Sequence, residues 1–305
     1  MLEGKRITIR KKSGGVRHIL APTGRTRHLA EKLAHRSGLG RAAQDLAGLV
    51  ARECPGYVVA ALPGGVSVGE AAALHAGAEA TACFDLRNFF DHVGGEKFDK
   101  LFGFISKDDP LAEDVARILA RPLMAWAGKA VTIGDVLPML QDTDGCLARQ
   151  GLACSPLVAS VAFFPADLAL ARWAKRRGLR VSRYVDDLTV SGPEAAVREA
   201  LREVARMLEG MGWEVNRKKT SLFLRRGGAA VVCGVSVRPD GLRATREARR
   251  RLRAAMHQAP DSPATRGLRE WCEGLGIPAR RRAEAQAAII TAPVAGADGG
   301  GWDSF

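Results

Sequence analysis

The sequence lacks the patterns that mark three common kinds of protein. None of its six cysteines belongs to a Cys-x-x-Cys pair, so no zinc site is expected. No run of about 18 apolar residues is present, and the N-terminus has no apolar core of a signal peptide. We therefore expect reduced, mostly buried thiols, no membrane association and a cytoplasmic location.

Acidic residues are few relative to basic ones. The chain has 46 Lys and Arg against 33 Asp and Glu, a formal net charge of +13 and an isoelectric point near 10.0. With 305 residues and 47% hydrophobic content it can build one large domain or two to three subdomains. A globular chain this basic indicates a polyanionic partner, most often nucleic acid, the alternative being a merely soluble basic protein.

The charge is unevenly distributed along the chain. Residues 1–50 carry 11 basic against 3 acidic side chains, and residues 241–290 carry 11 against 5. Residues 81–170 carry 8 against 12. A mildly acidic middle between basic flanks fits a metal-binding centre enclosed by surfaces that grip nucleic acid.

Two adjacent aspartates, Asp186 and Asp187, stand between two short runs of β-forming residues. Gly192 and Pro193 end the second run, so the pattern predicts a tight hairpin with both carboxylates at its tip. Neighbouring carboxylates repel each other unless positive charge lies beside them. The pair is either a solvated acidic turn or a site for Mg²⁺, which prefers oxygen ligands and completes its shell with substrate phosphates.

Asp85 lies near the end of an earlier apolar strand, residues 80–86. A carboxylate there either caps the next turn or contributes to a site at the end of the strand. If this strand pairs beside the hairpin, the three carboxylates converge. Two Mg²⁺ about 4 Å apart could then be held for in-line phosphoryl transfer.

Both ends of the chain carry predicted elements rich in basic residues. Residues 7–22 predict a strand, a glycine turn and a second strand, from which Lys11 and Arg17 could reach a triphosphate. A basic surface hairpin is the alternative interpretation. Residues 243–256 predict a strongly basic helix and residues 262–290 a second helical region, before a glycine-rich tail.

The patterns in between predict an α+β architecture. Residues 157–171 are apolar on nearly all helical faces, which predicts a buried helix. Residues 229–237 predict one further strand. His75 is expected to be structural, since no second histidine lies at ligand spacing. The order of elements indicates one sheet with helices packed on one face.

Seven short motifs, taken in order, resemble those of bacterial reverse transcriptases, most closely the retron type. The hallmark is Tyr184-Val185-Asp186-Asp187. Each motif alone is a weak signal, but seven in the right order favour the metal site over the solvated turn. The motifs lie at residues 11–22, 56 with 66–75, 84–90, 150–156, 184–187, 216–220 and 232–235.

The resemblance implies roles for individual residues. The implied catalytic residues are Asp85, Asp186, Asp187 and Lys219, the last as a general acid near the leaving pyrophosphate. The implied metal ligands, for two Mg²⁺ or alternatively Mn²⁺, are Asp85, the carbonyl of Leu86, Asp186 and Asp187. The implied nucleotide-binding residues are Lys11, Arg17, Phe90, Gln150 and Gly151, with Phe90 as the gate against a ribose 2′-hydroxyl. The implied RNA- and DNA-binding residues are Arg243, Arg246, Arg249, Arg250 and Arg253.

The resemblance also implies a right-hand polymerase fold. The fingers would span residues 1–80, and the palm residues 81–240 with a finger insertion at about 95–148. A helical thumb would follow at residues 241–292, and a flexible tail at 293–305. The palm would be an antiparallel sheet backed by helices.

The implied function is RNA-directed DNA synthesis within a retron. The template and primer would be a structured non-coding RNA, the substrates dNTPs, and the product a short multicopy single-stranded DNA that serves anti-phage defence. The RNA–DNA duplex and an effector protein would be further partners. Two positions depart from the retron pattern: Ala71 replaces a usual Asn, and Cys233 a usual Thr. Both usual residues are thought to help such enzymes engage their own RNA.

Four alternatives remain. A solo defence-associated reverse transcriptase would make untemplated or protein-primed DNA. A group II intron protein would carry maturase and often endonuclease regions, whereas only residues 241–290 follow the palm before the tail; a diversity-generating enzyme usually has Gln where Pro156 stands. A catalytically inactive RNA-binding protein is the alternative from a different class, although such a copy would be expected to lose one of the three aspartates.

Overall fold

The computed structural model describes residues 2–10, 16–106 and 108–275. The strands are β1 (Gly4–Arg10), β2 (Val16–Pro22), β3 (Tyr57–Ala60), β4 (Ala80–Asp85), β5 (Met124–Trp126), β6 (Lys129–Val131), β7 (Arg180–Tyr184), β8 (Asp187–Gly192), β9 (Ser221–Leu224), β10 (Ala230–Val232), β11 (Val235–Arg238) and β12 (Gly241–Ala244). The α-helices are α1 (Gly24–His35), α2 (Leu39–Glu53), α3 (Val68–Ala73), α4 (Gly95–Phe104), α5 (Ala112–Leu119), α6 (Ile133–Leu140), α7 (Ser155–Arg176), α8 (Glu194–Gly210), α9 (Arg246–Gln258) and α10 (Pro263–Glu273).

A five-stranded sheet of order β3-β7-β8-β4-β9 forms the centre of the molecule. All its neighbouring strands are antiparallel except β3 and β7, which are parallel. The hairpin predicted around the two aspartates is β7–β8, and it ends at Gly192 as expected. The strand predicted to carry Asp85 is β4, which lies beside β8 in the sheet. The mixed helices and sheet confirm the predicted α+β class.

Helix α7 packs behind this sheet. It begins with Pro156 in its first turn, where the missing N–H costs no hydrogen bond, and extends beyond the predicted residues 157–171. Its length and composition would allow it to cross a membrane, but 78% of its most apolar window is buried inside the protein. The apolar residues that surround it on both sides form one large core, so its apolar surface is accounted for by packing.

The N-terminal hairpin is also present as predicted. Strands β1 and β2 pair in full antiparallel register, from Gly4 opposite Pro22 to Arg10 opposite Val16. Every residue of β1 is exposed, so the ribbon stands away from the core over most of its length. Only its base is seated, because Leu20 is buried against the body of the protein.

The C-terminal elements differ in detail from the sequence prediction. Residues 229–237 were predicted as one strand but form the hairpin β10–β11, turned by Cys233 and Gly234 with φ of 47° and 78°. The basic helix begins at Arg246, after the cap Thr245, rather than at Arg243. Arg243 lies instead in β12, which completes the small sheet β10-β11-β12. Strand propensity alone could not show a turn of two residues with positive φ.

The small sheet has a core of its own, which joins Val232, Val235 and Leu242 to Ala72 on α3 and to Leu275. The boundary predicted at residue 240 therefore falls on the turn between β11 and β12, within one sheet. Helix α10 ends at Glu273, and the rest of the predicted helical region to 290, of the predicted thumb to 292, and the tail at 293–305 lies outside the described residues.

Candidate active site

Three aspartates meet where β4 and β7 end and β8 begins. Asp85 is the last residue of β4 and lies directly opposite Asp187, the first residue of β8. Asp186 occupies the turn between β7 and β8, and its carbonyl accepts a hydrogen bond of 3.1 Å from the Leu86 N–H. The antiparallel register therefore brings together the carboxylates that the sequence separates by about a hundred residues.

The cluster holds more negative charge than its surroundings stabilise. Burial, together with the charges of Asp186 and Asp85, raises the pKa of Asp187 to about 6. Burial and the charge of Asp85 raise the pKa of Asp186, which the positive charges of Lys219 and Arg17 partly offset. Carboxylates in this situation gain from a nearby cation, because opposite charge favours their ionised form.

The donor set fits Mg²⁺ but does not form a closed cage. Among residues 2–10, 16–106 and 108–275, no three Asp, Glu, His or Cys side chains are arranged to hold an ion by themselves. Mg²⁺ rarely uses such an all-protein cage; it is bound through one or two carboxylates and completed by waters and substrate phosphates. Oxygen donors at one end of a sheet, with raised carboxylate pKa values, meet that requirement.

The segment that follows α8 holds the Asp85 carboxylate through two of its side chains. Lys219 Nζ lies 2.8 Å from its Oδ1, and Asn216 Nδ2 donates to its Oδ2 over 3.0 Å. The Asn216 N–H also donates to the Asp85 carbonyl. Lys219 was predicted to lie at the site, whereas the role of Asn216 was missed. Its only sequence signal was its place at the start of the motif 216–220.

The turn that carries Asp186 contains an unusual backbone conformation. Val185 has a φ of +56°, which a β-branched residue rarely adopts and which costs of order 1–3 kcal/mol. The Val185 carbonyl accepts a hydrogen bond of 3.0 Å from Arg183 Nη1. Arg183 is buried and forms a two-pronged ion pair with Asp167 of α7. Sequence reasoning did not identify this support.

The predicted nucleotide-binding residues are placed around the aspartates to different degrees. Arg17 lies on β2, close enough for its charge to lower the pKa of Asp186. Phe90 lies on the short helical turn after β4, half-buried against the core, with its ring 5.4 Å from that of Phe89. Lys11 lies outside the described residues.

Gln150 and Gly151 join the loop before α7 to the N-terminal hairpin. The Gln150 carbonyl accepts a hydrogen bond of 2.7 Å from the Leu20 N–H. Gly151 has a φ of +105°, and a Cβ added there would lie 2.0 Å from the Leu20 carbonyl oxygen. The pair therefore seats β2, and with it Arg17, against the body of the protein.

The five C-terminal arginines lie apart from this cluster. Arg243 of β12 is paired with Asp240, and the other four are exposed on α9. Within the described residues no hydrogen bond or ion pair joins them to the three aspartates. They form an exposed basic surface, so their predicted contact with RNA or DNA is separate from the chemistry.

His75 is a structural residue, in agreement with the sequence analysis. Its side chain is buried, and its two ring nitrogens lie 2.7 Å from Ser191 Oγ and 2.8 Å from Ser182 Oγ. These serines belong to β8 and β7, so the ring ties α3 to the hairpin. Ala71 is buried as well. Neither position 71 nor His75 therefore presents a side chain to RNA in this fold.

The burial of His75 leads us to predict that the folded protein loses stability in acid. Burial, together with the charge of Arg180, lowers the pKa of His75 from 6.5 to about 3, so the folded protein resists protonating it. The stability that the neutral ring contributes is complete above pH 6.5 and is lost as the pH falls toward 3. We expect a loss of about 2 kcal/mol at pH 5, measured as the free energy of unfolding in urea.

The variant His75→Gln removes the titrating group and should flatten this pH dependence between pH 7.5 and 5. His35→Gln, at an exposed histidine of α1, is the matched control and should keep the slope of the unmodified protein. An identical slope in His75→Gln would assign the acid sensitivity to other groups.

The sequence is similar to a family of known proteins whose description fits this cluster of carboxylates. Residues 9–250 match the family described as reverse transcriptase (RNA-dependent DNA polymerase). The chain is 32% identical over 275 residues to a retron Mx65 reverse transcriptase of Myxococcus xanthus, covering 87% of this chain and 58% of that protein. It is 25% identical over 205 residues to a retron Se72 reverse transcriptase of Salmonella heidelberg, covering 65% and 48%. The chain thus spans about half the length of these curated relatives.

Solved structures show the same fold at low sequence identity. A telomerase from Candida albicans, solved in complex with a fragment of telomeric RNA, superposes with a TM-score of 0.54 at 14% identity, covering 80% of this chain and 47% of that one. An apo telomerase from Candida tropicalis, truncated from its C-terminal domain, gives a TM-score of 0.51 at 13% identity, covering 80% and 55%. At this identity the likeness concerns the fold alone, and it confirms the predicted polymerase architecture.

Proposed function

The chain belongs to the reverse transcriptase family of RNA-dependent DNA polymerases, and we propose that it synthesises DNA on an RNA template. The observation that supports this activity is the register that sets Asp85 opposite Asp187, with Asp186 in the adjoining turn. Three carboxylates at one end of a sheet, beside an ammonium group, form an arrangement that can serve phosphoryl transfer with divalent cations.

Each predicted site residue has its own role in the proposed reaction. Asp85, Asp186 and Asp187, with the carbonyl of Leu86, would hold two Mg²⁺, which when bound supply charge stabilisation for in-line attack on the triphosphate. Arg17, seated by the loop at Gln150, would bind the phosphates of the incoming dNTP. Lys219, 2.8 Å from Asp85, would donate a proton to the leaving pyrophosphate.

We further propose that this chain is the reverse transcriptase of a retron. The support for this proposal is the similarity to retron reverse transcriptases together with the ordered motifs. In this proposal a structured non-coding RNA is template and primer, and the product is a short multicopy single-stranded DNA made in the cytoplasm for anti-phage defence together with an effector protein.

Primer extension tests the activity. Purified protein on a poly-rA template with an oligo-dT primer, dTTP and Mg²⁺ should extend the primer, and omission of the metal or the template should stop it. Extension with Mn²⁺ alone would keep the activity but change the ion. If the protein binds RNA and never extends a primer with either ion, it is the inactive RNA-binding protein considered above.

Sequencing of the nucleic acid that co-purifies with the protein tests the retron assignment. Expression with the flanking locus should yield one discrete DNA covalently joined to RNA. Heterogeneous or untemplated DNA would instead support the solo defence-associated enzyme.

The sugar gate gives a further prediction. Phe90→Val removes ring volume beside the predicted position of the sugar, so incorporation of ribonucleotides relative to deoxyribonucleotides should rise by about tenfold or more. The measurement is single-nucleotide extension with rNTP and dNTP in parallel. Phe102→Val is the matched control, because Phe102 of α4 is also half-buried against the core. An equal ratio in the two variants would make Phe90 a packing residue.

The exposed arginines of α9 lead us to predict that RNA affinity falls as the salt concentration rises. Changing Arg249, Arg250 and Arg253 to Gln should reduce the slope of log affinity against log salt by up to about 2–3, since each lost phosphate contact removes about 0.7–0.9. Fluorescence anisotropy over a salt series measures this slope.

The control for this experiment removes the same charge from another exposed helical surface. Arg198, Arg202 and Arg206 are exposed on α8 at one-turn spacing, and their change to Gln should leave the slope nearly intact. A larger effect from the α8 variant would place the RNA on α8 instead of α9.

A further inference from the structure

A buried polar network lies beneath the turn that carries Asp186. The Arg183 guanidinium donates to both carboxylate oxygens of Asp167, from Nε to Oδ1 over 2.7 Å and from Nη2 to Oδ2 over 2.6 Å. Nη2 also lies 3.1 Å from Ser160 Oγ. The Tyr57 hydroxyl donates to Asp167 Oδ1 over 2.6 Å. The network therefore joins β3, α7 and β7 behind the carboxylate cluster.

One donor of this network leaves the core and reaches the turn. Arg183 Nη1 donates to the carbonyl of Val185 over 3.0 Å, and Val185 is the residue whose φ is +56°. This hydrogen bond fixes the plane of the peptide between Val185 and Asp186. The peptide nitrogen and the Cα of Asp186 belong to that plane, so the hydrogen bond restricts the position from which the Asp186 side chain extends.

We propose that Arg183, Asp167 and Tyr57 form a positioning unit that holds the Val185–Asp186 peptide in its strained conformation and so aims the Asp186 carboxylate at the metal site. The inference rests on the proposed function for the identity of that site. Arg183 is a positioning residue, since its hydrogen bonds are with Asp167, Ser160 and the turn, and its guanidinium lies over the Phe163 ring. Such supporting contacts around a metal ligand typically change metal affinity by 10- to 100-fold.

Stability alone does not explain this network. A buried ion pair costs desolvation that its attraction only offsets, and apolar residues of the same volume often stabilise a core equally well. The conformation of Val185, by contrast, persists only if neighbouring groups fix it. Each member is oriented by the next: burial and the charge of Asp167 raise the pKa of Tyr57 well above its usual value, so its hydroxyl remains a donor to Asp167.

Helix α7, which carries Asp167, also carries a matched control for Arg183. Arg172 of α7 also makes a two-pronged pair, with Asp109, at 2.6 and 3.1 Å. No described contact links Arg172 to the β7–β8 turn. Arg172→Lys therefore removes the same kind of two-pronged arginine contact as Arg183→Lys without touching Val185.

The first test is a double-variant cycle on the protein without metal or nucleic acid. Arg183→Lys should lower the melting temperature. If Arg183 holds a strained turn, this fall should be clearly smaller in a Val185→Gly background, because glycine adopts positive φ without support. Arg172→Lys should show the same fall in both backgrounds. Equal falls for Arg183→Lys in both backgrounds would overturn the proposal.

The second test measures metal binding directly. Mn²⁺ is titrated in the presence of dTTP and followed by electron paramagnetic resonance, and the signal that persists in Asp186→Asn/Asp187→Asn is subtracted. Arg183→Lys should weaken the remaining binding about 10-fold or more. Tyr57→Phe, which removes one hydroxyl, should weaken it roughly two- to tenfold and serves if Arg183→Lys does not fold. Arg172→Lys should leave it unchanged.

The outcomes separate this inference from the proposed function. Mn²⁺ binding that is unaffected in both Arg183→Lys and Tyr57→Phe overturns the positioning unit while the metal site stands. Mn²⁺ binding that depends on the network in a protein that never extends a primer overturns only the proposed function. If the unmodified protein binds no more Mn²⁺ than Asp186→Asn/Asp187→Asn, the metal site itself is wrong, and the inference falls with it.

Discussion

Replacing both Asp186 and Asp187 by asparagine is expected to abolish DNA synthesis and to leave RNA binding nearly intact. The change keeps the shape of the side chains but removes two negative charges from the β7–β8 hairpin, where Asp187 lies opposite Asp85 of β4. Metal coordination provides several kcal/mol of transition-state stabilisation, so the rate should fall by about 10³-fold or more. Primer extension and RNA anisotropy on the same preparation measure the two quantities.

The folded state should tolerate this change. Burial and neighbouring negative charge raise the pKa of Asp187 to about 6, so loss of its charge relieves repulsion in the cluster. Glu113→Gln with Glu199→Gln is the control, because it removes the same formal charge from exposed positions of α5 and α8. That control should synthesise DNA normally. Full polymerisation by the double asparagine variant would refute the assignment of these residues to the metals.

Gly151→Ala is expected to cause the second large effect. A Cβ at this position would lie 2.0 Å from the Leu20 carbonyl oxygen, and a φ of +105° is strained for any L side chain. The contact is with backbone, so one of the two segments has to move. We expect a loss of about 2–4 kcal/mol in the free energy of unfolding. Polymerisation should fall further, because β2 carries Arg17 toward Asp186.

A second glycine separates the steric clash from the backbone strain. Gly178 also has a positive φ, of +61°, but an added Cβ would meet nothing within 4 Å. Gly178→Ala should therefore cost only about 1 kcal/mol and leave polymerisation unchanged. Equal losses of stability and activity in the two variants would show that the close approach of Gly151 to Leu20 does not matter. Urea unfolding and single-turnover extension provide the comparison.

The sequence by itself determined the two hairpins and the strand that carry the predicted site residues, and the order in which they occur. Alternating β-forming residues around Asp186-Asp187, ended by Gly192 and Pro193, predicted the hairpin, and the structure contains it. The strand ending at Asp85 and the N-terminal hairpin were predicted in the same way. These predictions succeeded because side-chain alternation and turn residues act over a few neighbouring positions, which a sequence displays directly.

Local patterns also misplaced some elements. The turn at Cys233-Gly234 was missed because β-forming residues lie on both sides of it and only Gly234 signals a break. The basic helix was begun at Arg243 because charge periodicity does not distinguish a strand in a small sheet from the first turn of a helix. In both cases pairing with another strand decided the conformation, since strand pairing supplies hydrogen bonds that propensity does not count.

Only the tertiary structure decided how the cluster is supported. The Asp85 carboxylate accepts a hydrogen bond from Asn216, and the Val185 carbonyl accepts one from Arg183. The His75 ring is hydrogen-bonded to two serines from different strands. Asn216 and the two serines lie more than a hundred residues from their partners, so no short window of sequence contains both members of those pairs. Arg183 and Val185 are only two residues apart, but sequence patterns do not show that the side chain of one turns back to the carbonyl of the other. Buried polar groups need partners wherever the fold places them, and those partners are set by strand register and helix packing. The sequence therefore determined which carboxylates were available, and the fold determined their geometry and their charge environment.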